Sequence, residues 1–258
     1  MIDFRNVIIL ILSTKDNTYN EMKTSQRRTW VKAANDAGIK CFFYEGDTRL
    51  IKSELNNDVI SVPCDDSLAS CSLKFKMTLN CVLDNYPHTK LIYRTNLSSY
   101  IDVDNFIAHL SDLPDPELEY SGYTGSFNKY KEYVDTFAFL KRHKVRIPFR
   151  KVYQFCSGSG MFLGCEYFDK ILLQTKYDRY IDDVMIRLAI KVKPKLNIDR
   201  FDFVSHDDYL ISKETYRERV NKGLFHYRFK TDNRTNDAKL LYLCHDKDLR
   251  EFLCTKGE

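Results

Sequence analysis

At 258 residues, with 43% hydrophobic and 29% charged residues, the chain is long enough for one domain with a sizeable core and has too few Gly and Pro for long disordered linkers. A formal net charge of +4 is too small to point to nucleic acid, but it suits an anionic small molecule such as a sugar nucleotide. The N-terminal apolar run Val7 to Leu12 is too short to span a membrane and shorter than a signal-peptide core, so it reads as a first strand.

That strand exits into the polar stretch Ser13-Thr14-Lys15-Asp16-Asn17. Glu21 to Ala34 carries helical periodicity and Gly38 stops it. Lys40 to Tyr44 and Val59 to Val62 read as further strands, and Leu73 to Leu83 as an amphipathic helix burying Leu73, Leu79 and Cys81-Val82. Strand, helix, strand, helix, strand predicts a parallel α/β sheet.

The pattern centres on Lys90 to Phe106. Leu91 to Tyr93 is a short buried strand, followed by the polar cluster Arg94-Thr95-Asn96-Leu97-Ser98-Ser99, and Asp104 is placed to cap a helix from Asn105. Ligands of open α/β sheets bind past the carboxyl ends of strands, which makes this cluster the first place to look. The bland alternative is a solvated loop of local Asn and Ser turns.

After Leu113-Pro114-Asp115-Pro116 the stretch Tyr120 to Tyr133 is aromatic and polar, like antiparallel strands or a hairpin. A Gly-punctuated turn, Ser157-Gly158-Ser159-Gly160, runs into the apolar Met161-Phe162-Leu163. Tyr167 to Gln174 looks helical, Asp182-Asp183 opens another helix through Ala189, and Lys247 to Leu253 suggests a last one. In Phe225 to Lys230, ring and base alternate and would put His226, Arg228 and Lys230 on one strand face. The eight cysteines form no C-x-x-C pair and no zinc spacing, which predicts free thiols in a reducing, cytoplasmic compartment, though the even count also permits disulfides in a secreted chain.

The order of these segments resembles the fringe and β-1,3-galactosyl/N-acetylglucosaminyltransferase group of inverting, GT-A-fold glycosyltransferases. Lys23 through Arg27, Thr29 and Trp30 are similar to the family's R-x-x-I-R-x-T-W, and Asp66 through Lys74 to its D-S-Y-x-N-L-T-L-K-T. Arg94 through Phe106 are similar to K-T-D-D-D-V-F-V-N-V-D-N-L, Phe155 through Gly164 to Y-C-S-G-x-G-Y-V-L-S, and Asp182-Asp183-Val184 to E-D-V. The match runs over roughly residues 7 to 190. R-T-N-L-S-S is also similar to glycosyltransferases of large DNA viruses.

The resemblance implies a single α/β domain over residues 1–258, with a Rossmann-like nucleotide-binding half in 1–112, an acceptor-binding half and tail in 113–258, and a mixed central sheet flanked by helices. It implies transfer from a nucleotide sugar, UDP-linked, to a hydroxyl of a glycan acceptor. Asp183 is then the base and Asp182 its neighbour, with Asp207 and Asp208 in reserve. Ser13, Thr14, Asp16, Arg27, Lys74, Thr95, Asn96 and Ser98 would line the donor site, with Gly158 and Gly160 letting backbone approach the sugar and His226 in a late phosphate- or metal-contact position.

One departure bears on mechanism. The family's D-x-D, which holds Mn²⁺ on the donor diphosphate, falls on Asn96-Leu97-Ser98, which offers no carboxylate. The expectation is that no metal is required and that Arg94, Arg228 and Lys230 neutralise the diphosphate. The alternatives are Mn²⁺ held by Asp102 or Asp104, or a silent domain that binds a sugar nucleotide or glycan without turning it over.

Overall fold

A computed structural model describes residues 2–123, 154–178, 180–196, 201–204, 223–229 and 234–245. Strand β1 (Val7–Leu12) is buried from Val7 to Ile11, as a strand covered on both faces must be. Its side chains alternate between two cores: Val7, Ile9 and Ile11 enter one, Ile8 and Leu10 the other.

β1 lies mid-sheet between β2 (Lys40–Gly46) and β5 (Leu91–Asn96), parallel to both. Beyond β2 come β4 (Val59–Val62), parallel, and the edge strand β3 (Glu54–Asn56), antiparallel. On the other side β8 (Gly160–Gly164) and β7 (Tyr120–Gly122) follow β5, and β9 (Lys195–Leu196) closes the eight-stranded sheet. β8 runs antiparallel to both β5 and β7, so the sheet is parallel around β1 and mixed as a whole. The two expected halves share this one sheet.

On one face lie α1 (Asn20–Arg28), α2 (Trp30–Asp36), α4 (Val103–Ser111) and α7 (Arg234–His245), contributing Met22, Trp30, Phe106 and Leu241 to the first core. On the other lie α3 (Cys71–Asn85), α5 (Phe168–Leu173) and α6 (Asp182–Ile190), contributing Phe75, Leu79, Ile171 and Met185. A small second sheet joins β6 (Ser99–Ile101) to β11 (His226–Phe229) and β10 (Phe201–Val204). β11 pairs antiparallel with β6, which brings the late ring-and-base segment beside the loop after β5.

Several expected boundaries shift. The first helix breaks at Thr29 (φ −115°, ψ −114°), whose hydroxyl donates to Ser25 O at 2.7 Å. Gly38, at φ +91°, ends α2 in the left-handed conformation a glycine tolerates. In α3 the buried face is turned from the expected one: Lys74 is buried and Leu73 is 38% exposed. α4 is capped by Asp102, which accepts from Asn105 N at 3.2 Å; Asp104 lies in its first turn. The last expected helix and the stretch beyond Tyr123 lie outside the described residues.

Candidate functional site

The parallel strands β1, β2, β4 and β5 end at one edge, and there a cleft of about 360 Å³ opens. One wall is the loop after β5. Gln26 on α1 donates through Nε2 to Asn96 O (3.2 Å), Leu97 O (2.9 Å) and Ser99 O (2.8 Å), and Trp30 Nε1 donates to Ser99 O (3.1 Å). Both side chains are fully buried, so the basic helix motif is a clamp on this loop. Within the loop, Asn96 Oδ1 accepts from Ser98 N (3.1 Å), Ser98 Oγ (2.7 Å) and Ser99 Oγ (3.2 Å). From β11, Arg228 Nε donates to Ser98 Oγ at 3.3 Å.

The opposite wall is organised by Asp66. Its carboxylate accepts from Thr14 Oγ1 (2.7 Å), Lys15 N (2.7 Å), Gly46 N (2.8 Å) and Lys74 Nζ (2.6 Å), tying together the exits of β1 and β2 and helix α3. Burial pushes its pKa up, but the bonds from Lys74 and the backbone more than offset this and hold it below the ordinary value. Lys74, 2% exposed, faces the cleft, as do Ser13, Thr14, Asn96 and Ser98. Arg228 and Arg234, with Tyr19, complete the lining. Burial, then the charges of Arg94 and Arg234, lower Arg228 to about 10. Arg234 starts the twelve-residue α7, so the positive end of that helix dipole adds to the field.

Behind the cleft, at the start of α6, lie the paired carboxylates. Arg94 Nη2 meets Asp182 Oδ2 at 2.6 Å, with both side chains nearly inaccessible. Asp183 accepts from Gly158 N (3.1 Å) and Val184 N (2.8 Å). Burial, and then the charge of Asp182, raise Asp183 to about 6. A carboxylate of that basicity can accept a proton near neutral pH.

The expected donor-site residues therefore divide. Ser13, Thr14, Lys74, Asn96, Ser98 and Arg228 meet at the cleft. Arg27 does not: it forks onto Asp58 (2.6 and 3.0 Å) and lies 4.7 Å over the Phe43 ring. Asp16 is spent on a local turn, accepting from Thr18 N at 2.9 Å. Thr95 is buried and donates to Ser159 O at 2.9 Å, bracing the glycine turn. Arg94 is buried against Asp182 and Gly158; a Cβ added to Gly158 would fall 2.4 Å from Arg94 Nη1, so that glycine makes room for a guanidinium rather than a sugar. Gly160 opens β8 opposite Thr95. His226 is fully buried and bonded through Nδ1 to Tyr93 OH at 2.6 Å, away from the cleft, because the core packs around its end of β11. Lys230, Asp207 and Asp208 lie outside the described residues.

Three functional positions escaped sequence reasoning. Gln26 sits inside the helix motif that signalled the clamp, and Asp66 begins the motif that contains Lys74. Arg234 carried no local signal, since only the fold brings it to Tyr19 and Arg228.

The residues do not fit a carboxylate-held metal. Asn96 Oδ1 is already committed to three donors, Asp102 caps α4, and among the described residues no group of three or more His, Cys, Asp or Glu could hold an ion.

A family model described as Galactosyltransferase matches residues 21–201. No curated protein matches the sequence. Among solved structures, a glycosyltransferase involved in the glycosylation of the major capsid of PBCV-1 superposes with a TM-score of 0.52 at 11% identity, over 92% of this chain and 98% of that one. At that identity the likeness is one of fold.

Proposed function

The chain belongs to the galactosyltransferase family and is a glycosyltransferase of GT-A-like fold; from that premise we propose that it moves a sugar from a UDP-sugar to a hydroxyl of a glycan acceptor, with inversion and without a divalent metal. The observation that carries the reading is the position of Arg228. It lines the cleft, rests on Ser98 where relatives hold the metal, and feels the charges of Arg94, Arg234 and Asp183. Donor phosphates and catalytic carboxylate would thus meet across one guanidinium.

The nucleotide lies along the exits of β1 and β5, with its diphosphate toward Lys74, Arg228 and Arg234. Guanidinium forks pair two phosphate oxygens at once and offset the charge that develops as the sugar–phosphate bond breaks. Asp183 takes the acceptor hydroxyl's proton as its oxygen bonds to the anomeric carbon, and the nucleoside diphosphate leaves from the opposite face. Free Cys41, Cys64, Cys71, Cys81, Cys156, Cys165 and Cys244 support a reducing, cytoplasmic setting. A glycan on the Asn96-Leu97-Ser98 sequon would fill the cleft, so the active protein should carry an unmodified Asn96 by mass spectrometry.

The second reading, a silent binding domain, is favoured by the same Asn96-Leu97-Ser98 replacement. A panel of UDP-sugars, assayed for hydrolysis and transfer in excess EDTA, separates the two. Turnover that survives EDTA, falls about 10²-fold in Asp183→Asn and is lost in Arg228→Ala supports metal-free transfer. Activity that vanishes in EDTA and returns with Mn²⁺ overturns the metal-free part, and UDP binding with no turnover of any donor favours the silent domain.

A further inference from the structure

The sequence offers Arg94 as a cation for the donor, but its surroundings give it another task. It is 3% exposed and absent from the cleft lining. Its guanidinium is paired with Asp182 on one side and lies against the Gly158 turn on the other, where an added Cβ would meet Nη1 at 2.4 Å and Cζ at 2.7 Å. The N–H of that same glycine donates to Asp183. The next residue of β5, Thr95, holds the carbonyl of Ser159 in the same turn. Two adjacent residues of one rigid strand thus fix both the turn that grips Asp183 and the neighbouring carboxylate.

Resting on the reading of Asp183 as base, we propose that Arg94 does not touch the donor and is a positioning residue, holding the Asp183 carboxylate in place and in its proton-accepting form. The argument is electrostatic as well as geometric. Two carboxylates side by side in a buried site resist being ionised together. A guanidinium locked to Asp182 offsets part of that repulsion and favours the charged form of Asp183. Among the described residues, the other groups facing Asp183 are Arg228 from β11, Tyr120 from β7, Cys156 ahead of β8 and Cys71 from α3. Burial pushes the phenol and both thiols up, Cys71 to about 12, so these three are neutral at working pH. Asp182, Arg94 and Arg228 are the charges that decide.

The two partners should act with opposite sign. Arg94→Gln removes a cation, so the acidic limb of the pH profile of kcat/KM should move up by about one unit or more. Asp182→Asn removes an anion and should move the limb down. Arg94→Lys, which keeps the charge, should leave it near wild type, and donor KM should stay within about twofold throughout, because none of these groups meets the donor. A merely structural pair would give losses without opposed shifts. Breaking one side of a buried ion pair is costly enough to unfold a marginal variant, and Arg94→Gln is the one exposed to that cost. The double variant R94Q/D182N leaves neither member of that ion pair as a lone buried charge and decides by itself: a wild-type donor KM supports the inference, and a tenfold rise makes Arg94 a donor contact and overturns it. Limbs that do not move, or that move together, overturn it as well. Asp183→Asn keeps the failures apart, since an active D183N removes the base reading beneath this inference, whereas a silent D183N with unmoved limbs removes this inference alone.

Discussion

His226 is fully buried, and its Nδ1 shares a hydrogen bond with Tyr93 OH across 2.6 Å. Burial, and secondarily the charge of Arg228, lower its pKa to about 3. The unfolded chain holds an ordinary histidine near 6.5. Between those values the unfolded state binds a proton the folded state refuses, so stability is kept above about pH 6.5 and is lost progressively as pH falls toward 3. Asp183 works the other way: its raised pKa means the folded state takes up a proton first, adding stability as pH falls through about 6. Comparison with a variant isolates the histidine. His226→Gln keeps a hydrogen-bonding group beside Tyr93 and removes the titration, so its Tm should fall less than the wild type's between pH 6.5 and 4.5. Parallel Tm curves would count against a neutral buried His226. Gly158→Ala is a second test at this scale. The added methyl would press on the Arg94 guanidinium, and a loss of about 1–3 kcal/mol is expected by chemical denaturation, the range typical of overpacking at a buried site.

The loop from Asn96 to Ser99 behaves as one element, closed on itself through Asn96 Oδ1 and clamped by Gln26 and Trp30. An aspartate at position 96 could accept the same three bonds, so the loop geometry itself does not demand an amide. The double variant N96D/S98D should therefore fold and acquire an ion site: millimolar Mn²⁺ should raise its Tm while leaving the wild type unmoved, and its activity should become sensitive to EDTA. A variant indifferent to Mn²⁺ would show that carboxylates at these positions do not suffice. Gln26→Leu should loosen the clamp, leaving three carbonyls without that donor and raising donor KM severalfold. At this scale the sequence was readable where one signal dominated. Val7 to Leu12 and Val59 to Val62 coincide with strands because an apolar run has few other uses. The edge strand Glu54–Asn56 was not visible: three polar or half-buried residues carry no period, and only pairing with β4 makes them a strand. Lys74 was placed on the cleft side by its motif, yet periodicity alone would have exposed it and buried Leu73, because a lysine enters a helix's inner face only when a partner such as Asp66 waits there. Arg94 fell the other way, a cation in the right strand whose partner, Asp182, could not be seen from sequence spacing.

Over the whole molecule, the formal excess of four positive charges understates what the proposed nucleotide would meet. Lys74 arrives on α3, Arg228 on β11 and Arg234 on α7, from distant parts of the chain and from both sides of the sheet. Such convergence attracts a diphosphate far more than a neutral nucleoside. UDP should raise the Tm clearly more than uridine at equal concentration, and the difference should shrink with added salt. Arg228→Ala or Arg234→Ala should remove most of it. A nucleoside that stabilises as well as its diphosphate would place the phosphates elsewhere.

The contact between Arg228 and Ser98 spans 130 residues of sequence. At the usual pace of protein synthesis, roughly 5–20 residues per second, Ser98 is made roughly 6 to 26 seconds before its partner exists. For that interval β6 has no β11 beside it and presents an open backbone edge. The nascent chain can thus build its central parallel strands early but cannot grip a donor until β11 has been made. Arrested chains ending ahead of β11 should therefore fail to be retained on immobilised UDP, and release of the full-length chain should restore retention in one step.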